Sequence, residues 1–330
     1  VTGQTVANYT DSTKTSLVSA QELRYSGFTT TGVPAHETIA TYSDSSFKTV
    51  TGVQDILNTT ISAIGNVIDM TLTKYSGRNS GDLQTGDINP VGLQSQEMIH
   101  NSLFDPLGNP KVQDITTVYY DSTGKSVIST TYVHIENTYD IYNRLATSVV
   151  KTFKEASQTS LISLQNITYS LYTVHGNAGH EVVVTYGPDG VTFAGASTVD
   201  RVFVNALEDA KGVATTTTQT KYSDLAMKNI TQKIVTNIDP KNLDPNGNPL
   251  VQDQQIFVQT SSGLVETIHQ IITAKTLDFL STGDAKSQVI TTYHVEGGAE
   301  TLVGYSEYSN RLFDSSHNVT SQTILNYTDS

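Results

Sequence analysis

The sequence predicts an all-β fold, a tandem array of antiparallel β-hairpins, and three observations carry that prediction. The hydrophobic content is only 37% and the charged content 15%. The remaining weight sits largely in Thr, Ser, Asn, Gln, Gly and Tyr, and Thr, Tyr, Val and Ile suit a half-buried pleated surface. A unit of about 35 residues recurs along the chain. Each unit carries the residue chemistry of a hairpin turn. With 17 Tyr, 9 Phe and no Trp, many thin contacts are favoured over one thick core.

The repeat is anchored by segments 104–114 (FDPLGNPKVQD) and 243–253 (LDPNGNPLVQD), which lie 139 residues apart, four times the shorter step. Pairing turn residues with aromatics exposes that step. Gly32, Gly65, Asn143, Gly176, Gly212, Gly247, Gly283 and His317 stand ten residues before Tyr42, Tyr75, Phe153, Tyr186, Tyr222, Phe257, Tyr293 and Tyr327. Gly108 stands eleven before Tyr119. Residues 1–330 therefore read as one array of nine units closing on these nine aromatics, with 1–9 the end of a preceding unit.

Within a unit, a first strand leads into Asp-x-x-Gly or a relative: Asp105 to Gly108, Asp140 to Asn143, Asp209 to Gly212, Asp244 to Gly247, Asp314 to His317. Asp at the first position accepts backbone hydrogen bonds, and Gly or Asn at the fourth tolerates positive φ. That is a type I turn with a G1 bulge. Gly176 and Gly283 hold the same position in units without the Asp. Asn58, Asn101, Asn205 and Asn310 recur seven residues before their turn positions. A second strand then runs to the aromatic, and a second turn signal follows, as in Tyr42-Ser-Asp-Ser.

The second strands alternate. Leu145, Thr147, Val149 and Phe153 share one face, as do Ala178, Val182, Val184 and Tyr186. The opposite face carries an aliphatic seven after the turn: Ile39, Leu72, Val150, Val183, Ile290 and Ile324. Both faces are partly apolar, which leaves the inner one open. Segment 94–104 has a weak helical spacing around Met98, Ile99 and Leu103, but its place in the repeat predicts a strand. Segment 76–95, with four Gly and one Pro, predicts a long surface loop. Hairpins joined in one antiparallel strip, shell or sandwich-like sheet advance about 9.6 Å per unit, roughly 85 Å for nine. The alternative, a parallel β-solenoid, rises about 4.8 Å per coil.

Two turns carry a family resemblance. Tyr139-Asp-Ile-Tyr-Asn-Arg-Leu145 and Tyr120-Asp-Ser-Thr-Gly-Lys125 resemble the Tyr-Asp (YD) repeat of the RHS and teneurin group, Tyr-Asp-x-x-Gly-Arg-Leu, and Phe313-Asp-Ser-Ser-His-Asn318 is a weaker relative. The resemblance covers the turn in about half of the units, and the unit here is longer than that family's. It implies antiparallel hairpins forming a long strip that spirals into a shell. The RHS-core end motif and its autoproteolytic site are not recognisable. The pattern is also similar in style to giant bacterial surface proteins built from YD-like units.

Other readings are narrowed by composition. A formal charge of −13 gains nothing from counterion release, so nucleic acid is not an expected partner. No apolar run is long enough for a membrane span, and residues 1–5 lack the regions of a signal peptide. Without Cys there are no disulfides, thiolate zinc sites or thiol nucleophiles. No nucleophile elbow, Walker loop, His-Glu-x-x-His or dinucleotide fingerprint is present. The acidic residues mostly recur at turns. The expectation is that the chain is not an enzyme and has no cofactor.

Eight histidines, His36, His100, His134, His175, His180, His269, His294 and His317, are scattered over different repeat positions and read as ordinary surface residues. Asp244, Asn246 and Asn248 space oxygens at alternate positions and are weak calcium candidates. Sequons place candidate glycosylation at Asn8, Asn58, Asn166, Asn229, Asn318 and Asn326.

The expected function is a structural segment of an extracellular or cell-surface filament, tether or giant surface protein. Its partners are neighbouring repeats or copies of itself, end to end. The alternative is an adhesin or carbohydrate-binding β-module touching surface glycans through 76–95. A third reading is a polysaccharide-active enzyme on a β-scaffold. Tyr9 stands 33 residues before Tyr42, and 326–330 repeats 8–12. The array is therefore expected to begin and end mid-pattern, leaving strand 2–9 without its hairpin partner until another repeat or copy covers it.

Overall fold

A computed structural model of the chain describes residues 3–9, 17–42, 44–79, 88–121, 123–204, 208–209, 212–243, 248–274, 284–313 and 319–327. The strands are β1 (Gly3–Tyr9), β2 (Leu17–Ser26), β3 (His36–Tyr42), β4 (Val50–Ile61), β5 (Val67–Arg78) and β6 (Pro90–Phe104). They continue as β7 (Pro110–Tyr120), β8 (Val127–Tyr139), β9 (Leu145–Phe153), β10 (Leu161–Tyr172), β11 (Ala178–Tyr186) and β12 (Phe193–Val202). The last are β13 (Thr216–Tyr222), β14 (Ile230–Ile238), β15 (Val251–Thr260), β16 (Gly263–Ala274), β17 (Gln288–Glu296), β18 (Ala299–Phe313) and β19 (Val319–Tyr327). The segment with helical spacing, 94–104, lies within β6.

All nineteen strands belong to one sheet, and each pairs antiparallel with the strands before and after it. Every pair of strands in extensive contact is consecutive. The fold is thus an open antiparallel strip of hairpins, and antiparallel pairing excludes the solenoid. Among the described residues β1 pairs only with β2, and β19 only with β18.

One layer leaves much surface uncovered. The chain exposes 17838 Å², against about 13,000 Å² for a compact monomer of this mass. Most strand residues are half-buried, because neighbours flank each side chain within its own face while no second sheet among the described residues packs above it. The exception is a core cluster of Ala20, Ala40, Tyr42, Val53 and Ile88, with Ala7, Phe47, Val50 and Tyr75 packed against it. Ile88 precedes β6 and Phe47 lies in the β3–β4 connection, so these two residues from outside the strands cover the face formed by β1–β5.

A bulge accompanies the aromatic at each inter-repeat hairpin. The register slips by one residue at Tyr9, Tyr42, Tyr75, Tyr120, Phe153, Tyr186, Tyr222, Phe257 and Tyr293. Three of the extra residues are threonines whose hydroxyls donate back across the pair: Thr51 to Thr41 O (3.1 Å), Thr231 to Lys221 O (3.2 Å) and Thr267 to Ile256 O (3.4 Å). This corrects one closing aromatic. Asp114 pairs with His100 and His134, and strict alternation along β7 puts Val118 and Tyr120 on that face and Tyr119 on the opposite one. Tyr120 carries the bulge and closes the third unit. The expected loop 76–95 also contracts: β5 and β6 remain paired at Gly77–Val91 and Arg78–Pro90, so the connection is 79–89.

Candidate functional site: the hairpin rim and the histidine face

The turns within units line one rim of the sheet. In six of them the amide at the fourth position donates to the carbonyl at the first: Gly32 to Thr29, Gly65 to Ser62, Gly108 to Asp105, Asn143 to Asp140, Gly176 to Thr173 and Gly212 to Asp209, at 3.0–3.1 Å. All six fourth residues have positive φ, from 65° at Asn143 to 95° at Gly65. Asp105 Oδ1 accepts from the amides of Leu107 (2.8 Å) and Asn109 (2.9 Å). Asp140 Oδ1 accepts from those of Tyr142 and Arg144 (both 2.9 Å), and its Oδ2 pairs with the Arg144 guanidinium at 2.6 Å. Asp244, Asn246, Gly247 and Gly283 lie outside the described residues.

Asp209 uses its carboxylate differently. It holds the neighbouring turn, with His175 Nδ1 and Asn177 Nδ2 each at 2.8 Å. Burial alone would raise its pKa, but hydrogen bonds from Thr173, Asn177 and His175 hold it down to about 2.

Other side chains stitch unit to unit along this rim. Two of the recurring asparagines donate to carbonyls of the preceding unit, Asn58 to Pro34 (2.9 Å) and Asn101 to Val67 (3.1 Å). The Tyr139 hydroxyl donates to Pro110 O at 3.0 Å, and the Tyr172 hydroxyl to Leu145 O. Arg144 stacks on the Tyr172 ring at 4.4 Å and on Tyr142 at 4.9 Å. The Tyr, Asp and Arg of the YD-like turn at 139–145 therefore all make turn or inter-unit contacts.

Six of the seven described histidines meet carboxylates, and His317 lies outside the described residues. His36 Nε2 lies 2.7 Å from Asp55, His100 Nδ1 2.7 Å from Asp69, His134 Nδ1 2.8 Å from Asp114, and His180 Nδ1 2.6 Å from Asp200. His269 lies between Asp253 (3.2 Å) and Glu300 (2.8 Å), and His175 is the turn residue described above. Asp69, His100, Asp114, His134 and Lys151 stand directly opposite one another on β5 to β9, an in-register row of acid, histidine, acid, histidine and lysine on the bulge-aromatic face. The hydrogen bond from His100 holds Asp69 below the usual carboxylate range. Burial opposes the same effect at Asp114, where bonds from Gln158 and His134 prevail. Burial also opposes charging of His269, but Glu300 and Asp253 raise its pKa on balance. Among the described residues these groups do not gather into a cluster able to hold a metal ion.

A separate polar node sits under the core cluster. Glu22 is fully buried, with Arg78 Nη1 2.5 Å away and Arg24 also bonded to it; Arg78 itself is only 4% exposed. The Tyr42 hydroxyl donates to Glu22 Oε2 at 2.8 Å and accepts from Arg78 Nη1 at 2.7 Å. Burial, then the Glu22 carboxylate, push the Tyr42 pKa up to about 12. The sequence reading missed both the node and the acid–histidine row.

Of the sequon asparagines, Asn166, Asn229 and Asn326 are exposed, and Asn58 is committed to Pro34. The Asn8 side chain and Asn318 lie outside the described residues. The calcium candidate Asn248 is described without Asp244 and Asn246. No helix among the described residues is long and apolar enough to cross a membrane.

No family model matches the chain, and no curated protein matches it. Among solved structures it is similar to a crystal structure of TcdB2-TccC3 without its hypervariable C-terminal region, at 10% identity and a TM-score of 0.22, over 95% of this chain and 18% of that one. It is also similar to a crystal structure of TcdB2-TccC3-Cdc42, at 11% identity and a TM-score of 0.16, over 99% and 21%. The chain spans about a fifth of the length of those chains, and a likeness this faint carries no argument.

Proposed function

We propose that this chain is a non-catalytic structural repeat segment of an extracellular filament, tether or large surface protein, extended by strand pairing at β1 and β19. The observation behind this reading is the strictly consecutive pairing. Each strand pairs only with its neighbours in the chain, as in other quasi-one-dimensional arrays, and among the described residues the outer sides of β1 and β19 have no strand partner, which leaves their backbone groups open to a further strand. The carboxylates support the same reading, because those at the hairpin turns accept backbone and side-chain hydrogen bonds that hold the turns and join them.

Strand parity adds a constraint. With nineteen alternating strands, β1 and β19 run in the same direction, so a translated copy would meet the strip in parallel. An antiparallel joint that keeps each face of the sheet continuous between two copies is instead two-fold symmetric, β1 against β1 or β19 against β19. Light scattering on the 330-residue chain tests this. Mass should grow openly with concentration. Adjacent residues of an edge strand direct their amides to opposite sides, so one of Thr5→Pro and Val6→Pro removes an outward N–H without harming the β1–β2 ladder. That variant should show a lower mass than the unaltered chain at every concentration, because only β19 remains open to strand pairing. A chain that stays monomeric at all concentrations overturns the proposal.

A further inference from the structure

The type I turn constrains its first and fourth residues and leaves the middle two free. Hairpin tips are ordinarily polar there. Four consecutive turns on the rim instead place Ile64, Leu107, Ile141, Tyr142 and Val174 at these middle positions, each between 70% and 93% exposed. The turns are contiguous. A Cβ on Gly65 would lie 3.1 Å from Thr31 of the preceding turn, and one on Gly108 2.8 Å from Asn66. Asn109 is hydrogen-bonded to Asn143, and Arg144 reaches Tyr172. The tips thus form one row at about 9.6 Å spacing.

Leu103 and Leu171 are an independent sign that this row has a use. Each stands two residues before its turn with positive φ, 50° and 53°, a conformation that leucine rarely adopts. Each is left out of the strand ladder, between the pairs Ser102–Val112 and Phe104–Pro110 or Ser170–His180 and Tyr172–Ala178, and is at least 70% exposed, so an apolar side chain stands outward beside the tips where a partner can cover it.

We propose that this apolar rim is a lateral contact surface for a second copy of the chain, packed rim to rim about a two-fold axis. At about 100 Å² per side chain the seven residues offer roughly 700 Å², close to the ~800 Å² per partner of a stable interface. Asp105, Asn109, Asp140, Arg144 and His175 flank the tips as a polar border, the usual anatomy of such a surface. The contact is independent of pairing at β1 and β19 and joins strips side by side.

The test uses the full chain with both edge strands blocked, one proline at Thr5 or Val6 and one at Gln322 or Thr323, each at the residue whose amide points outward. Sedimentation equilibrium at micromolar concentration should still show a dimer. Adding Ile64→Asp, Leu107→Asp, Ile141→Asp and Val174→Asp should weaken dimerisation at least tenfold and leave the melting temperature nearly unchanged, since these four side chains are at least 71% exposed. A strictly monomeric edge-blocked chain refutes the inference, as does a dimer indifferent to the tip substitutions. Tip-dependent co-sedimentation with phosphatidylcholine vesicles in place of dimerisation would assign the rim to a lipid surface and equally refute it.

Discussion

Replacing Glu22 by Gln tests how the buried core cluster of the strip is held. The substitution keeps the shape and removes the charge, leaving the buried Arg78 guanidinium without an anion. Breaking a buried pair by removing one partner costs about 3–5 kcal/mol. The lower value applies here, because Arg24, the second cation on Glu22, is 18% exposed and partly hydrated after the change. In a one-dimensional array the loss stays local. Amide hydrogen exchange is therefore the assay. A local loss of about 3 kcal/mol speeds exchange in β2–β4 by somewhat more than a hundredfold, while β12–β16 keep their wild-type rates. The double change Glu22→Leu with Arg78→Met should recover much of the loss, since it removes the deeply buried lone charge and leaves only the partly exposed Arg24 without Glu22. Tyr42 supplies a second readout. Its pKa is raised to about 12, so its contribution is complete below pH 10 and vanishes as pH rises to about 12, a loss of about 2–3 kcal/mol. An exchange increase below tenfold in β2–β4, or one shared evenly along the strip, would refute the argument.

The turns and the aromatic row give further expectations. Gly108→Val should cost about 1–2 kcal/mol through its positive φ and more through the approach to Asn66, whereas Gly176→Val, where a Cβ meets nothing within 4 Å, should cost the φ term alone; urea titrations compare the two. Tyr186→Ala should cost about 1–2 kcal/mol by thermal unfolding, because the ring is half-buried against Leu164 in a cross-strand pair; a fully cored ring would cost about 3 kcal/mol or more. Hydrogen bonds from Thr123 and nearby amides hold Asp121 at about 2, and bonds from Thr192 and nearby amides do the same at Asp189. Stability from these turns should be present above the ordinary carboxylate range and disappear as pH falls through about 2, and Asp121→Asn should flatten that acid limb.

What could be read in advance followed from local rules. The first and fourth turn residues announce themselves by hydrogen-bonding and φ requirements, so Asp105, Gly108, Asp140, Asn143 and Gly212 stood out in the sequence, and hairpins imply antiparallel strands. What could not be read depends on register. The His100–Asp114–His134 row exists only because β6, β7 and β8 align at those residues, and the bulges decide that alignment. The extra residue near Tyr119 and Tyr120 shows the difficulty: even spacing selected Tyr119, but the bulge sits at Tyr120, and one residue is the whole distance between faces. Glu22 and Arg78 lie 56 residues apart, a separation that no motif links.

The bulge beside each closing aromatic has a consequence for how such a protein changes over generations. Each unit carries its own register offset and hands the next unit the same geometry that it received. Excising two strands between one bulge and the next, and rejoining the chain there, returns every remaining strand to a matching partner. Unequal exchange between repeats can then lengthen or shorten the gene without passing through a misfolded product, so length is free to vary while the pattern inside each unit is not.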